Sequence, residues 1–107
     1  MADLLAAPVL EHALLDVRPG LADEFERAMA QALPIITAVP GCRGARVTRC
    51  LERPDTYLLL VGWDSVEAHT TGFRGTEPYE RWRALLHRFY DPFPVVEHFV
   101  DAIATRE

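Results

Sequence analysis

An α+β fold is predicted by three features of the sequence. Two apolar stripes recur at helical spacing, one after Gly20 and one after Thr76. Four shorter runs alternate or stay apolar, as strands do, and Pro- or Gly-containing turns separate the segments. The 107 residues suffice for one domain, and half of them are hydrophobic while a quarter are charged.

Val9 to Val17 alternate loosely and end at Arg18-Pro19-Gly20, which marks a first strand. Val9, Glu11, Ala13 and Leu15 share one face; Leu10, His12, Leu14 and Asp16 share the other. Both faces are largely apolar, so both are expected to be covered, one by helices and the other by a partner subunit. After Gly20, the positions Leu21, Phe25, Ala28, Met29, Ala32 and Leu33 trace a helix. Asp23, Glu24 and Glu26 place negative charge near its N-terminus, where the macrodipole favours it. Pro34 predicts a kink or break, followed by a turn through Ile36 that stops at Pro40-Gly41.

A second strand is expected from Ala45 to Glu52, with Val47, Arg49 and Leu51 opposed to Arg46, Thr48 and Cys50. Arg53-Pro54-Asp55-Thr56 then forms a hairpin connection. Tyr57 to Trp63 is almost unbroken in apolarity and reads as a central strand. Asp64-Ser65 can cap a short helix beginning near Val66. From Thr76, the stripe Tyr79, Trp82, Leu86 and Phe89 marks a second long helix, ended by Pro92 and Pro94. Val95 to Val100 completes the series as a final strand. The order β-α-β-β-α-β is the ferredoxin-like, split βαβ arrangement, with an antiparallel sheet ordered 4-1-3-2 and helices on one face. The core spans about residues 9–100, with short flexible termini beyond it.

The formal charge of −5 and the scatter of arginines among acidic residues argue against a nucleic-acid partner. Cys42 and Cys50 form no C-x-x-C pair and read as reduced thiols. The segment Met1 to Leu5 lacks a basic start and a long apolar stretch, and no run reaches the length of a membrane span. A cytoplasmic protein with no membrane partner is expected.

Particular residues go further than topology. Val39-Pro40-Gly41-Cys42-Arg43-Gly44 resembles the Pro-Gly turn of the antibiotic biosynthesis monooxygenase (ABM) family, of the dimeric α+β barrel superfamily. Val61-Gly62-Trp63-Asp64-Ser65-Val66-Glu67-Ala68-His69 resembles that family's junction between strand three and the next helix. Glu97-His98-Phe99 is similar to its closing strand. The resemblance runs from about Val9 to Val100, and burial of strand one's second apolar face leads to the expectation of a sheet-to-sheet homodimer. The resemblance implies a site: Trp63 stands where the polyketide oxidases of the family carry a Trp, and Arg83 where they carry an Arg. His69 occupies a Tyr position and Leu59 an Asn position. The haem-degrading branch is not matched, because strand one holds no Asn and the later positions carry Gly72 and Arg83.

The function implied is a monooxygenase acting without metal or flavin on an aromatic, quinol-like or polyketide small molecule. Such chemistry needs an apolar cavity, a proton acceptor and a stabiliser of developing negative charge. His69 is the expected acceptor, since imidazole titrates near neutral pH. Arg83 is the expected oxyanion partner, and Trp63 completes the catalytic set. Leu59, Phe73, Tyr79 and Trp82, with His12, are the expected substrate contacts. Glu11-His12 and Glu97-His98 form a second constellation on neighbouring strands. Side chains alternate along a strand, so two His on one face and two Glu on the other are expected, and no metal site. Two other functions fit the same scaffold: a non-catalytic dimeric domain that binds a metabolite or serves a stress response, and a non-oxidative isomerase or cyclase.

Overall fold

The computed structural model describes residues 4–103. Four strands form one antiparallel sheet, ordered β2-β3-β1-β4: β1 (Val9–Asp16), β2 (Cys42–Arg49), β3 (Thr56–Trp63) and β4 (Val96–Phe99). Read from the other edge, this is the predicted 4-1-3-2 ferredoxin-like sheet. Helices α1 (Ala22–Thr37), α2 (Val66–Thr70) and α3 (Glu77–Leu86) complete the α+β fold, and a 3-10 turn, His87–Phe89, follows α3.

Alternation along the strands sorts the residues. Val9, Ala13 and Leu15 of β1 face the helices beside Tyr57, Leu59, Val61 and Trp63 of β3, and all seven are buried. α1 covers them with Phe25, Ala28, Met29, Ala32 and Ile36; α3 adds Trp82 and Leu86. The opposite sheet face presents Leu10, His12, Leu58 and Leu60 half-buried, with Leu14 exposed. One end of that face is covered by a 3-10 turn, Leu4–Ala6. There Gly62 has a reason to lack a side chain: a Cβ would lie 2.8 Å from Cβ of Ala7 and 3.2 Å from Leu4. Of the expected flexible ends, residues 1–3 and 104–107 lie outside the described residues, whereas Leu4 and Ala7 pack against Gly62 of the sheet.

Three boundaries differ from expectation. α1 runs through Pro34 to Thr37 instead of breaking. Pro34 lies in the last turn, where it removes a single backbone donor. Ile36, 1 % exposed, anchors that turn in the core, and Thr37 donates its hydroxyl to the carbonyl of Leu33. β2 begins at Cys42 and ends at Arg49, three residues early at both ends. Gly41, at φ +90°, turns the chain tightly enough for Cys42 to pair directly with Trp63, and a bulge follows before Gly44. At the far end Leu51 is 91 % exposed, outside the sheet. β4 is shorter than expected, since Val95 and Val100 are both exposed.

Candidate active site

Between the helix-facing side of the sheet and the chain that leads from α2 through α3 to β4 lies a cavity of about 360 Å³. Glu11, Ala13 and Leu59 form its floor; Phe73, Tyr79 and Trp82 form aromatic walls. Phe73 packs edge-on against Tyr79 and Trp82, with centroids 5.3 and 5.9 Å away. Ser65 caps α2 by accepting a hydrogen bond from the Ala68 amide, which places His69 one turn along, over the end of β3. Its ring stacks on Trp63, centroids 5.1 Å apart and planes 18° apart.

A chain of polar contacts starts beneath that stack. The Trp63 indole Nε1 donates to Glu11 Oε1 at 2.9 Å. His69 Nε2 lies 3.4 Å from the same oxygen, and His69 Nδ1 lies 2.8 Å from His98 Nε2. Glu11 and His69 are each 3 % exposed, whereas His98 is half-buried. Burial, more than any neighbour, pushes the Glu11 carboxyl up, against the opposing effects of the Trp63 donor and the Arg74 charge. Burial likewise pushes His69 down to about 4, helped by the positive charge of Arg74 and by His98. His98 is lowered by burial and then by Arg74. His69 is therefore neutral at neutral pH, and its 3.4 Å contact with Glu11 is not an ion pair. The three groups lie in line with the His69 ring between the other two, so their ligand atoms do not converge on a point. Among the described residues no group of three or more His, Cys, Asp or Glu is placed to hold a metal ion.

The strand register explains this meeting and corrects the expected partition of the Glu-His pairs. Glu11 pairs with His98, and His12 with Glu97. Directly paired residues share a face, so each face carries one Glu and one His.

Of the expected site residues, His69, Leu59, Phe73, Tyr79 and Trp82 line the cavity, and Trp63 lies behind His69 with no surface exposed. Arg83 does not reach it. Its guanidinium is exposed on the outer face of α3, 3.3 Å from Glu80, an i,i+3 pair. The arginine among the residues that line the cavity is Arg74, which is exposed to solvent. His12 is on the open sheet face, its ring edge-on to Phe99 at 5.4 Å, and does not line the cavity.

Arg74, Glu11 and His87 line the cavity without having been expected there. Glu11 had left a signal, a lone carboxylate on the otherwise apolar face of β1. Arg74 follows Phe73, which sits one helical turn after His69, so continuing α2 by a turn brings it to the same side. His87 closes the far end beside Tyr79, Tyr90 and Phe93, with ring centroids 4.9 to 5.9 Å away. Burial lowers its pKa, and Arg83 lowers it further.

Comparison with known proteins adds independent findings. A family model described as antibiotic biosynthesis monooxygenase matches residues 8–85. The uncharacterized protein YczJ of Bacillus subtilis (strain 168) is 52 % identical over 93 residues, covering 87 % of this chain and 98 % of that one. A solved structure from Bordetella bronchiseptica, assigned by name to the antibiotic biosynthesis monooxygenases, is 33 % identical with a TM-score of 0.85. It covers 89 % of this chain and 97 % of its own. A variant of SnoaB, a cofactor-independent oxygenase from Streptomyces nogalater, shares the fold at 16 % identity and a TM-score of 0.79. The match covers 92 % of this chain and 97 % of that one.

Proposed function

The chain belongs to the antibiotic biosynthesis monooxygenase family, and from that premise we propose that it is a monooxygenase that needs no cofactor. Its substrate is an aromatic, quinol-like or polyketide small molecule with an acidic hydrogen. One observation carries the reading: a buried, neutral His69, held between Glu11 and His98, lies at an aromatic-walled cavity. The cavity size suits a molecule of two or three fused rings.

Both nitrogens of His69 already have partners, so Glu11 meets the substrate first. Its Oε1 is taken by Trp63 and His69, while Oε2 has no protein partner among the described residues. The Glu11–His69 pair removes a proton and leaves its electron pair on the substrate as an enolate or phenolate. Arg74, in the role expected of Arg83, stabilises that anion. Dioxygen is the oxidant and adds to the electron-rich carbon. For an activated CH2 group the balance is CH2 + O2 → C=O + H2O, so one oxygen atom enters the product and the other leaves in water with both hydrogens.

A second copy of the chain is proposed to cover the open sheet face, where half-buried Leu10, Leu58 and Leu60 adjoin exposed Leu14 and Phe99. His12 then serves that interface rather than the substrate.

The test is formation of anthraquinones from anthrones, and of hydroxyquinones from hydroquinones, by purified, metal-stripped protein under oxygen. Turnover lost in His69→Ala supports the reading; rates at the buffer level across the panel reject it for those substrates.

A further inference from the structure

We propose that Glu11, His69 and His98 form a proton relay from the cavity to solvent, through which the protein exchanges the acidic C–H hydrogens of an enolisable substrate with water, with or without oxygen. The substrate class rests on the function proposed above; the relay rests on geometry. Glu11 Oε1, the two nitrogens of His69 and Nε2 of His98 follow one another at 3.4 and 2.8 Å. The chain begins at a cavity-lining, buried carboxylate and ends at a half-buried imidazole on the edge strand.

A single imidazole has the two nitrogens such a relay requires. When the substrate C–H bond breaks, its electron pair stays on the substrate and the proton goes to the Glu11 carboxylate. The carboxyl then turns about its last C–C bond to present that proton to His69 Nε2, as His69 Nδ1 gives its own to His98 Nε2. His98 then holds a proton on each nitrogen and releases one to water. His69 has changed tautomer without carrying a charge, in keeping with the burial that disfavours its protonated form. The reverse sequence returns a solvent proton to the enolate, so out-and-back passage closes an exchange cycle that consumes no oxidant. The groups facing the relay disfavour a proton held on any of its members, so a proton passes through rather than resting there. Trp63 donates to Glu11 and stabilises the carboxylate, and Arg74 bears on all three members, favouring the ionised Glu11 and disfavouring charge resident on either imidazole. Nothing in this cycle needs Arg83 or His87.

The experiment is deuterium uptake into anthrone in heavy water without oxygen, followed by proton NMR against a buffer control. Uptake faster than buffer is expected for the wild type. In His98→Gln, which keeps a hydrogen-bonding group but cannot take up and release a proton, it falls by about tenfold or more. Anthrone affinity, read from quenching of tryptophan fluorescence, stays unchanged. Added imidazoles restore uptake to His98→Gly in proportion to their basicity, which a structural role for His98 does not predict. Wild-type uptake in His98→Gln, or uptake at the buffer rate in the wild type, overturns the proposal. Uptake without quinone formation in air leaves the relay standing and rejects the oxygenase; quinone formation indifferent to His98 does the reverse. Nitrogen NMR tests the chain without any substrate: protonating His98 must shift His69 Nδ1, and an indifferent His69 contradicts the relay.

Discussion

Trp63 and Glu11, 52 positions apart in sequence, are joined by a 2.9 Å hydrogen bond from indole to carboxylate at the buried end of the β1–β3 pair. The bond satisfies the one polar atom of a side chain that is otherwise fully in the core. It also holds the carboxylate under His69. Trp63→Phe keeps an aromatic surface beneath the imidazole but leaves Glu11 without its donor. A loss of about 1–3 kcal/mol is expected in urea unfolding, the desolvation cost of a buried acceptor left unmatched. The Glu11 pKa should rise further, which infrared spectroscopy of the carboxyl can read.

Stability should depend on pH through two groups of opposite sign. His69 titrates at about 4 in the fold against 6.5 in the unfolded chain. The unfolded state therefore binds more protons between those values, and the His69 contribution is lost as pH falls from 6.5 towards 4. Glu11 is raised above 4.5, so the folded state binds more protons just above that value. Its contribution is lost as pH rises through that window. Glu11→Gln should therefore steepen the gain in stability between pH 4 and 6.5. Denaturant midpoints across that range check the sign; a flatter curve in the variant contradicts the assignment.

The two arginines should separate cleanly. Arg74→Gln removes the cation lining the cavity and is expected to slow oxidation by about 100-fold. It also removes the charge that disfavours protonation of His69 and His98. The acid limb of the kcat/KM profile should then move to higher pH. Arg83→Gln breaks an exposed ion pair and removes a charge that bears on His87, with an expected stability change within about 0.5 kcal/mol and near-normal turnover. Equal losses in the two variants contradict the placement.

These outcomes mark what was legible in the sequence. Alternation in Val9 to Asp16 and the unbroken apolarity of Tyr57 to Trp63 identified the central pair of strands, because burial acts residue by residue. The register between β1 and β4 was not legible: four residues of each pair, and nothing in either segment states which opposes which. That register decides whether Glu11 meets His98 or Glu97. Arg83 was expected from a family position, yet rotation about α3 turns it to solvent beside Glu80, and the loop after α2 delivers Arg74 instead. Pro34 was read by its local propensity, which the packing of Ile36 overrides.

The open sheet face yields a separate prediction. Leu14 and Phe99 are 45 and 48 % exposed on it, and charge placed there should be costly only if a second copy covers it. Leu14→Glu with Phe99→Glu should convert a dimer to a folded monomer in sedimentation equilibrium. A wild-type chain that sediments as a monomer contradicts the proposed assembly.

The most direct test of the central claim is oxygen labelling. Metal-stripped wild-type protein is given anthrone under isotopically labelled dioxygen, and the product is weighed by mass spectrometry. One labelled oxygen atom in each anthraquinone, formed faster than in buffer and lost in Glu11→Gln and His69→Ala, is the predicted result. Unlabelled product, or labelled product formed equally well by both variants, contradicts an oxygenase built on this pair.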